Sequence, residues 1–327
     1  MKVLVRAPFS EKCLKQLGEM FDEVKYAPWN ETGEWYQDDK TLELLKREQP
    51  DVFITELDRV KEETLNGYTG LKVLGVCRAN PANVDVSLCT EKGLPIVCTP
   101  ARNAQAVAEC LVGELLCYMR NIHVAAQWER EGNWVAGTTP YCMFTGNEIQ
   151  GKKIGFVGFG AVGKAAAKLL RAFETEIVFY DPFVEAFEDY QKVELKELFS
   201  TCDIVSIHLP VLPSTEKMID SKLLSLMKPN AIFVNTARSA VVDMDALYQV
   251  IHEGKIRGAV MDVMDHEPPT HEDMQRWNAE NVLLTPHICG ASHEVSDHHS
   301  DIMVQRLNSW LKQENLNRVV FNRDILK

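Results

Sequence analysis

Lys153-Ile-Gly-Phe-Val-Gly-Phe-Gly-Ala-Val-Gly163 is the stretch that decides the fold. The apolar run Lys153–Val157 reads as a strand and leads directly into Gly158-x-Gly160-x-x-Gly163, after which helical periodicity runs through Lys164–Phe173. Each glycine has its own task in such a turn. Gly158 permits the tight bend, Gly160 lets the backbone approach a pyrophosphate, and Gly163 lets the helix pack closely on the strand. The first helical turn, with Ala161 and Val162, offers free N–H groups and a positive dipole end to phosphate. A second strand-like run, Glu176–Tyr180, ends in Asp181, about 20 residues on, where an acid takes ribose hydroxyls. That carboxylate repels a 2′-phosphate, and Pro182, Phe183 and Val184 follow it without a basic residue, so the motif predicts NAD rather than NADP.

The same alternation of strand and helix runs along the whole chain. Strand candidates are Lys2–Val5, Asp22–Tyr26, Val52–Ile54, Val73–Val76 and Pro95–Val97, then Lys153–Val157, Glu176–Tyr180, Ile204–Ile207, Ile232–Asn235, Ala259–Asp262 and Val282–Leu284. Most are short and rich in Val, Ile and Phe, as parallel strands covered on both faces should be. Helical periodicity fills the gaps, as in Asp38–Gln49 and a long stretch over Ala104–Gln127. The fold class expected is α/β, with two doubly wound parallel-sheet domains. Thr99-Pro100 precedes the long helical stretch, and Thr285-Pro286 precedes another near His293–Lys312. Proline bars a continuous helix at both points. The chain is therefore expected to form a discontinuous outer domain from residues 1–99 and 288–327, with a dinucleotide-binding domain, 100–287, inserted in it.

Composition limits the partners. The 327 residues are 46% hydrophobic and 25% charged, ordinary for a soluble globular chain, and two domains are natural at that length. A formal net charge of −12 argues against nucleic acid or an anionic membrane surface as partner. An anionic substrate would need a local cation. No apolar run is long enough for a membrane span, and no secretory h-region follows the N-terminal strand. The nine cysteines are scattered, without a Cys-x-x-Cys pair, and read as free thiols in a reducing cytoplasm; no metal site is expected.

Three later strand ends carry polar residues of unusual type. Arg238 follows Ile-Phe-Val-Asn-Thr-Ala, Glu267 lies in the loop Asp262-Val-Met-Asp-His-Glu-Pro-Pro, and His287 closes Leu284-Thr-Pro-His. Ligands of doubly wound sheets bind outside the carboxyl ends of the strands, so all three are expected at one crevice. Singly, each has an ordinary reading: a surface ion-pair partner, a solvated loop acid, a core histidine. Together, downstream of a dinucleotide turn, they make a set for keto-acid chemistry. Arg238 can anchor a carboxylate and polarise a carbonyl through its forked donors. His287 can donate the proton to a developing alkoxide, or accept it in the reverse direction. Glu267 is expected to hold the imidazole and favour its protonated form.

These segments resemble the D-isomer-specific 2-hydroxyacid dehydrogenases in order and spacing: Gly-Phe-Gly-Ala-Val-Gly163, Asn235-Thr-Ala-Arg238, Asp262…Glu267-Pro268, Thr285-Pro-His287, and Asn103…Glu109 before the turn. The resemblance covers nearly the whole chain. It implies a Rossmann NAD-binding domain inserted in a flavodoxin-like substrate domain, an Arg238–Glu267–His287 catalytic set, and a homodimer formed mainly through the cofactor domain. The implied reaction moves a hydride between the nicotinamide and C2 of a small 2-hydroxy or 2-keto acid, of the phosphoglycerate or the hydroxypyruvate and glyoxylate type. It also implies that Leu209, Pro210 and Thr215 lie over the adenosine half, and that Thr236, Ala237, Asp262 and Gly290 line the nicotinamide side.

One segment departs from the pattern. Where backbone amides of a Gly-rich turn hold the substrate carboxylate, this chain has Gly75-Val-Cys-Arg78-Ala79-Asn80. Arg78, Ala79 and Asn80 are the substrate-binding candidates here, beside Arg238 and His287. Either Arg78 pairs with a neighbouring acid, or it meets a second anionic group on a phosphorylated or dicarboxylic substrate. A reading of another class stays open as well: the C-terminal-binding-protein corepressors share fold and motifs and use NAD for assembly rather than turnover.

Overall fold

Parallel pairing organises both halves of the computed structural model, which describes all 327 residues. The chain divides into two compact units, Met1–Asn103 with Ser292–Lys327, and Ala104–Ala291.

The first unit holds a five-stranded sheet of β1 (Lys2–Val5), β2 (Glu23–Tyr26), β3 (Val52–Thr55), β4 (Val73–Val76) and β5 (Ile96–Cys98). Its order is β2-β1-β3-β4-β5 and every pair is parallel, the flavodoxin-like arrangement. Alternate residues explain the two layers. Val3, Val5, Val52 and Ile54 face Cys13, Leu17, Met303 and Leu307. Leu4, Phe53 and Leu74 face Leu42, Leu45 and Leu65 on the other side. A strand covered on both faces cannot show a polar/apolar alternation, which is why these segments read as unbroken apolar runs.

The second unit holds seven parallel strands: β6 (Lys153–Val157), β7 (Glu176–Tyr180), β8 (Gln191–Lys192), β9 (Ile204–Ile207), β10 (Ile232–Asn235), β11 (Gly258–Met261) and β12 (Val282–Leu284). Their order is β12-β11-β10-β9-β6-β7-β8. β6 therefore lies between β7 and β9, and the winding reverses beside it, the Rossmann switch point.

Two details differ from the sequence expectation. β8 has only two residues at the sheet edge, too few to give an apolar pattern. The long helix expected over 104–127 is two helices, Ala104–Met119 and Ile122–Arg130, broken at Asn121 with φ +54°. The break frees the Met119 carbonyl, which accepts from Asn147 N–H at 2.9 Å and Arg257 Nη2 at 3.3 Å. No helix is long and apolar enough to cross a membrane.

Candidate active site

The glycine turn sits at the end of β6. Gly158 has φ +90°, and a Cβ there would lie 2.6 Å from the His208 carbonyl oxygen. Both facts demand glycine. A Cβ on Gly163 would meet the Gly158 carbonyl oxygen at 2.8 Å, so helix and turn touch backbone to backbone. Gly160 faces open space and no side chain caps the helix Ala161–Arg171, whose first residue is exposed. An uncapped helix start beside open space suits a phosphate group. Asp181 reaches this turn: its carboxylate accepts from Phe159 N–H at 2.7 Å and Phe183 N–H at 2.8 Å.

Leu209 is buried and Pro210 exposed after β9, and Thr215 Oγ1 donates to the Pro210 carbonyl at 2.6 Å, closing that loop. His208 hydrogen-bonds Ser206 Oγ at 2.8 Å, and burial pushes its imidazole down to about 4, so it stays neutral.

Past β10, Asn235 shapes the turn that presents Arg238. Its side chain accepts from Ala237 N–H at 3.0 Å and donates to the Arg238 carbonyl at 3.0 Å. The Arg238 guanidinium is exposed, touches only the Ala237 carbonyl at 2.5 Å, and has no carboxylate within 4.0 Å. Thr236 is buried and its hydroxyl has no partner. A buried hydroxyl left unmatched is costly, and a ligand amide or hydroxyl would satisfy it. The unmatched Thr236 hydroxyl, the uncapped helix start and the open face at Gly160 together fit a dinucleotide.

His287 and Glu267 form a pair, Nδ1 to Oε2, at 2.7 Å. Burial pushes the Glu267 carboxyl up, but the bond to His287, the Met264 N–H, and the charges of His287 and Arg238 outweigh it and hold the group below its usual range. A cavity of about 490 Å³ opens beside the pair, with Met264, Met274, Leu284 and Pro286 among its walls. His287 has φ +56°, a left-handed backbone that histidine tolerates better than most residues.

What holds that backbone is Asp262. It is 1% exposed, and its carboxylate accepts from Thr285 Oγ1 (2.6 Å), Ile288 N–H (2.8 Å) and Cys289 N–H (2.8 Å). Gly290 follows, half-buried. Glu114, from the helix Ala104–Met119, extends the clamp: its carboxyl lies 2.7 Å from Thr285 Oγ1, whose one hydrogen it shares with Asp262, and accepts from Cys289 Sγ at 3.5 Å. Burial pushes the Glu114 carboxyl up. Donor atoms of Cys110, Glu114 and Cys289 lie within 4.8 Å of one another, and hydrogen bonds among them account for that closeness. Sequence reasoning passed over Glu114, Thr285 and Asn235. The signal for Glu114 was there: it is an acid on the buried stripe Val107, Leu111, Tyr118 of its helix.

In the first unit, Arg78, Ala79 and Asn80 follow β4. The Arg78 carbonyl accepts from Thr99 N–H at 2.9 Å, and Ala79 and Asn80 are exposed. Arg78 has no carboxylate within 4.0 Å, which removes the reading in which a neighbouring acid pairs with it.

Residues 112–289 match the family model of the D-isomer specific 2-hydroxyacid dehydrogenase, NAD binding domain. YoaD of Bacillus subtilis, a 2-hydroxyacid dehydrogenase by name, is 43% identical over 330 residues, covering 100% of this chain and 96% of that one. The chain belongs to the D-isomer specific 2-hydroxyacid dehydrogenases. Among other members, the glyoxylate reductase of Thermococcus litoralis is 34% identical over 290 residues, 86% of this chain and 87% of its own. The solved structure of the TT0316 protein of Thermus thermophilus superposes with a TM-score of 0.77 at 30% identity, covering 96% of this chain and 98% of that one. Members of this family are oxidoreductases acting on 2-hydroxy and 2-keto acids, and so is this chain; its second unit carries the family's NAD-binding domain.

Proposed function

We propose that the chain is an NADH-dependent reductase of a small 2-keto acid, working reversibly as a D-2-hydroxyacid dehydrogenase, with Arg238, Glu267 and His287 as its catalytic residues. The observation that carries this reading is the 2.7 Å His287–Glu267 pair in the unit that also presents the unpaired Arg238. Met1–Asn103 with Ser292–Lys327 is the substrate domain in this reading, and Ala104–Ala291 the cofactor domain. The backbone of Gly158, Gly160, Ala161, Val162 and Gly163 holds the pyrophosphate, and Asp181 the ribose. Leu209, Pro210 and Thr215 cover the adenosine half, while Thr236, Ala237, Asp262 and Gly290 border the nicotinamide. When bound, the cofactor supplies the hydride. Arg238 holds the substrate carboxylate and draws electron density from its carbonyl. His287 gives its Nε2 proton to the oxygen as charge develops there, and Glu267 keeps the ring aimed through Nδ1. Arg78, Ala79 and Asn80 contact the rest of the substrate, with Arg78 free to meet a second anionic group.

Exposed apolar side chains between residues 122 and 143 support a homodimer through the cofactor domain: Ile122 at 53%, Trp134 at 74%, Tyr141 at 80% and Met143 at 54%. All nine cysteines are free, which supports a reducing, cytoplasmic setting.

A panel of glyoxylate, hydroxypyruvate, phosphohydroxypyruvate and oxaloacetate, each with NADH and with NADPH, tests the proposal. We expect NADH oxidation with at least one acid, preferred over NADPH by about tenfold or more because Asp181 opposes a 2′-phosphate. Absence of turnover with all four would overturn the assignment to small keto acids of the glyoxylate, hydroxypyruvate and phosphoglycerate types.

The Glu267 shift fixes a pH test. A carboxyl depressed in the folded state keeps the pair intact above the usual carboxylate range, and the attraction is lost as pH falls through its own titration. At neutral pH the carboxylate is therefore ionised and holds His287 Nδ1. Glu267→Gln removes the titrating carboxyl, so the fall in keto-acid reduction that follows Glu267 protonation at acid pH should disappear from the pH–rate profile. An unchanged pH–rate profile would show that Glu267 does not serve His287.

A further inference from the structure

Arg306 on the helix Glu294–Leu311, Arg318 in the short helix Leu316–Val319 and Arg323 just beyond it line one cavity of about 250 Å³ in the first unit. Ala79, Cys98, Pro100, Val320 and Phe321 complete its wall, so no carboxylate lines it. None of the three guanidiniums has an acidic partner within 4.0 Å, in a chain of net charge −12. The one acid adjacent in sequence, Asp324, is taken by Lys327 Nζ at 2.6 Å. Arg306 is half-buried and its only hydrogen bond is to the Val319 carbonyl at 3.3 Å. Burial disfavours its charge, the Cys98 thiol offsets part of that, and the like charge of Arg323 adds to it.

The segment that carries two of these arginines is rigidly seated. Val320 bridges Val97, and Phe321 N–H donates to the Ile96 carbonyl at 2.7 Å. The buried Asn322 side chain accepts from Ile96 N–H at 2.9 Å and donates to the Leu94 carbonyl at 2.9 Å. Three unmatched cations held together by fixed backbone are unfavourable unless something offsets them, and an anion does so. A planar carboxylate satisfies one guanidinium fork. A tetrahedral phosphate presents acceptors in several directions and suits three forks from two chain segments.

We propose that Arg306, Arg318 and Arg323 form a binding site for a small phosphate dianion, either inorganic phosphate or the phosphate of a monoester. The site belongs to the first unit alone; it borders Ala79, placed above at the substrate, and is set apart from those contacts by its three arginines.

The test uses the full chain saturated with NAD, which blocks the glycine turn, and follows the unfolding temperature on titration with inorganic phosphate or glycerol phosphate at constant ionic strength. Saturable stabilisation should appear in the native chain. Arg318→Gln with Arg323→Gln should raise the half-saturating phosphate concentration by about tenfold or more. Both side chains are exposed and unpaired, so the fold should persist, as an undiminished unfolding temperature without phosphate would show. Arg78→Gln and Arg238→Gln should each leave the titration within about twofold of native, separating this site from the substrate contacts proposed above. The tighter of the two probes names the free ion or the monoester as the ligand. A double variant that titrates like the native chain, or a native chain with no saturable response, would overturn the proposal.

Discussion

Replacing His287 with alanine should lower keto-acid reduction by about 100- to 10,000-fold, or roughly 3–5 kcal/mol of barrier, while NADH affinity stays within a few-fold of native. The asymmetry follows from placement. In the proposed site the dinucleotide is held mainly by the Gly158–Gly163 turn, Asp181 and the loops after β9 and β10, whereas His287 follows β12, in a loop fastened by Asp262 and Thr285, and is paired with Glu267. Truncating the imidazole removes the proton donor and leaves the Asp262 clamp on the Ile288 and Cys289 amides in place. Stopped-flow measurement of NADH oxidation beside NADH fluorescence titration separates the two quantities. Reduction at near-native rate in the variant would strip His287 of its role.

Arg238→Gln is the second large loss. The guanidinium is exposed and unpaired, so its removal breaks no structural ion pair; beyond a weaker hold on the Glu267 carboxyl, the effect should fall on substrate. A fork that both anchors a carboxylate and polarises a carbonyl contributes to binding and to the barrier. We expect kcat/KM to fall by about 1,000-fold, with both KM and kcat affected. Arg238→Lys should recover only part of this, because an ammonium keeps the charge but lacks the planar pair of donors. Full recovery by lysine would mean that charge alone matters and that the carbonyl is polarised by another group. A drop confined to KM would point the same way.

The sequence announced the strands and the turn for a plain reason. Buried parallel strands must be apolar throughout, and a backbone position such as Gly158, at φ +90° and 2.6 Å from a carbonyl, admits one residue type. Arg238, Glu267 and His287 were visible because polar residues at the ends of apolar runs are conspicuous. The break at Asn121 was hidden, since the helical periodicity runs through it and the bonds that replace the helical one are tertiary: the Met119 carbonyl accepts from residues far along the chain. Glu114 was half visible, as a charge on a buried stripe whose partners, Thr285 and Cys289, lie more than 170 positions away. The convergence of Arg306, Arg318 and Arg323 was illegible, because spacings of twelve and five match no single helix face and only the seating of Val320 and Asn322 against β5 brings them to one cavity.

The left-handed backbone at His287 has an evolutionary side. Few residues occupy that conformation at low cost, and among those with a side chain asparagine is chief. A chain of this design can therefore lose its acid through a single exchange to asparagine while the Asp262 clamp and the dinucleotide cradle persist, leaving a molecule that still senses coenzyme but no longer consumes it. Descent from catalyst to sensor is structurally cheap here, and the geometry of one peptide unit makes it so.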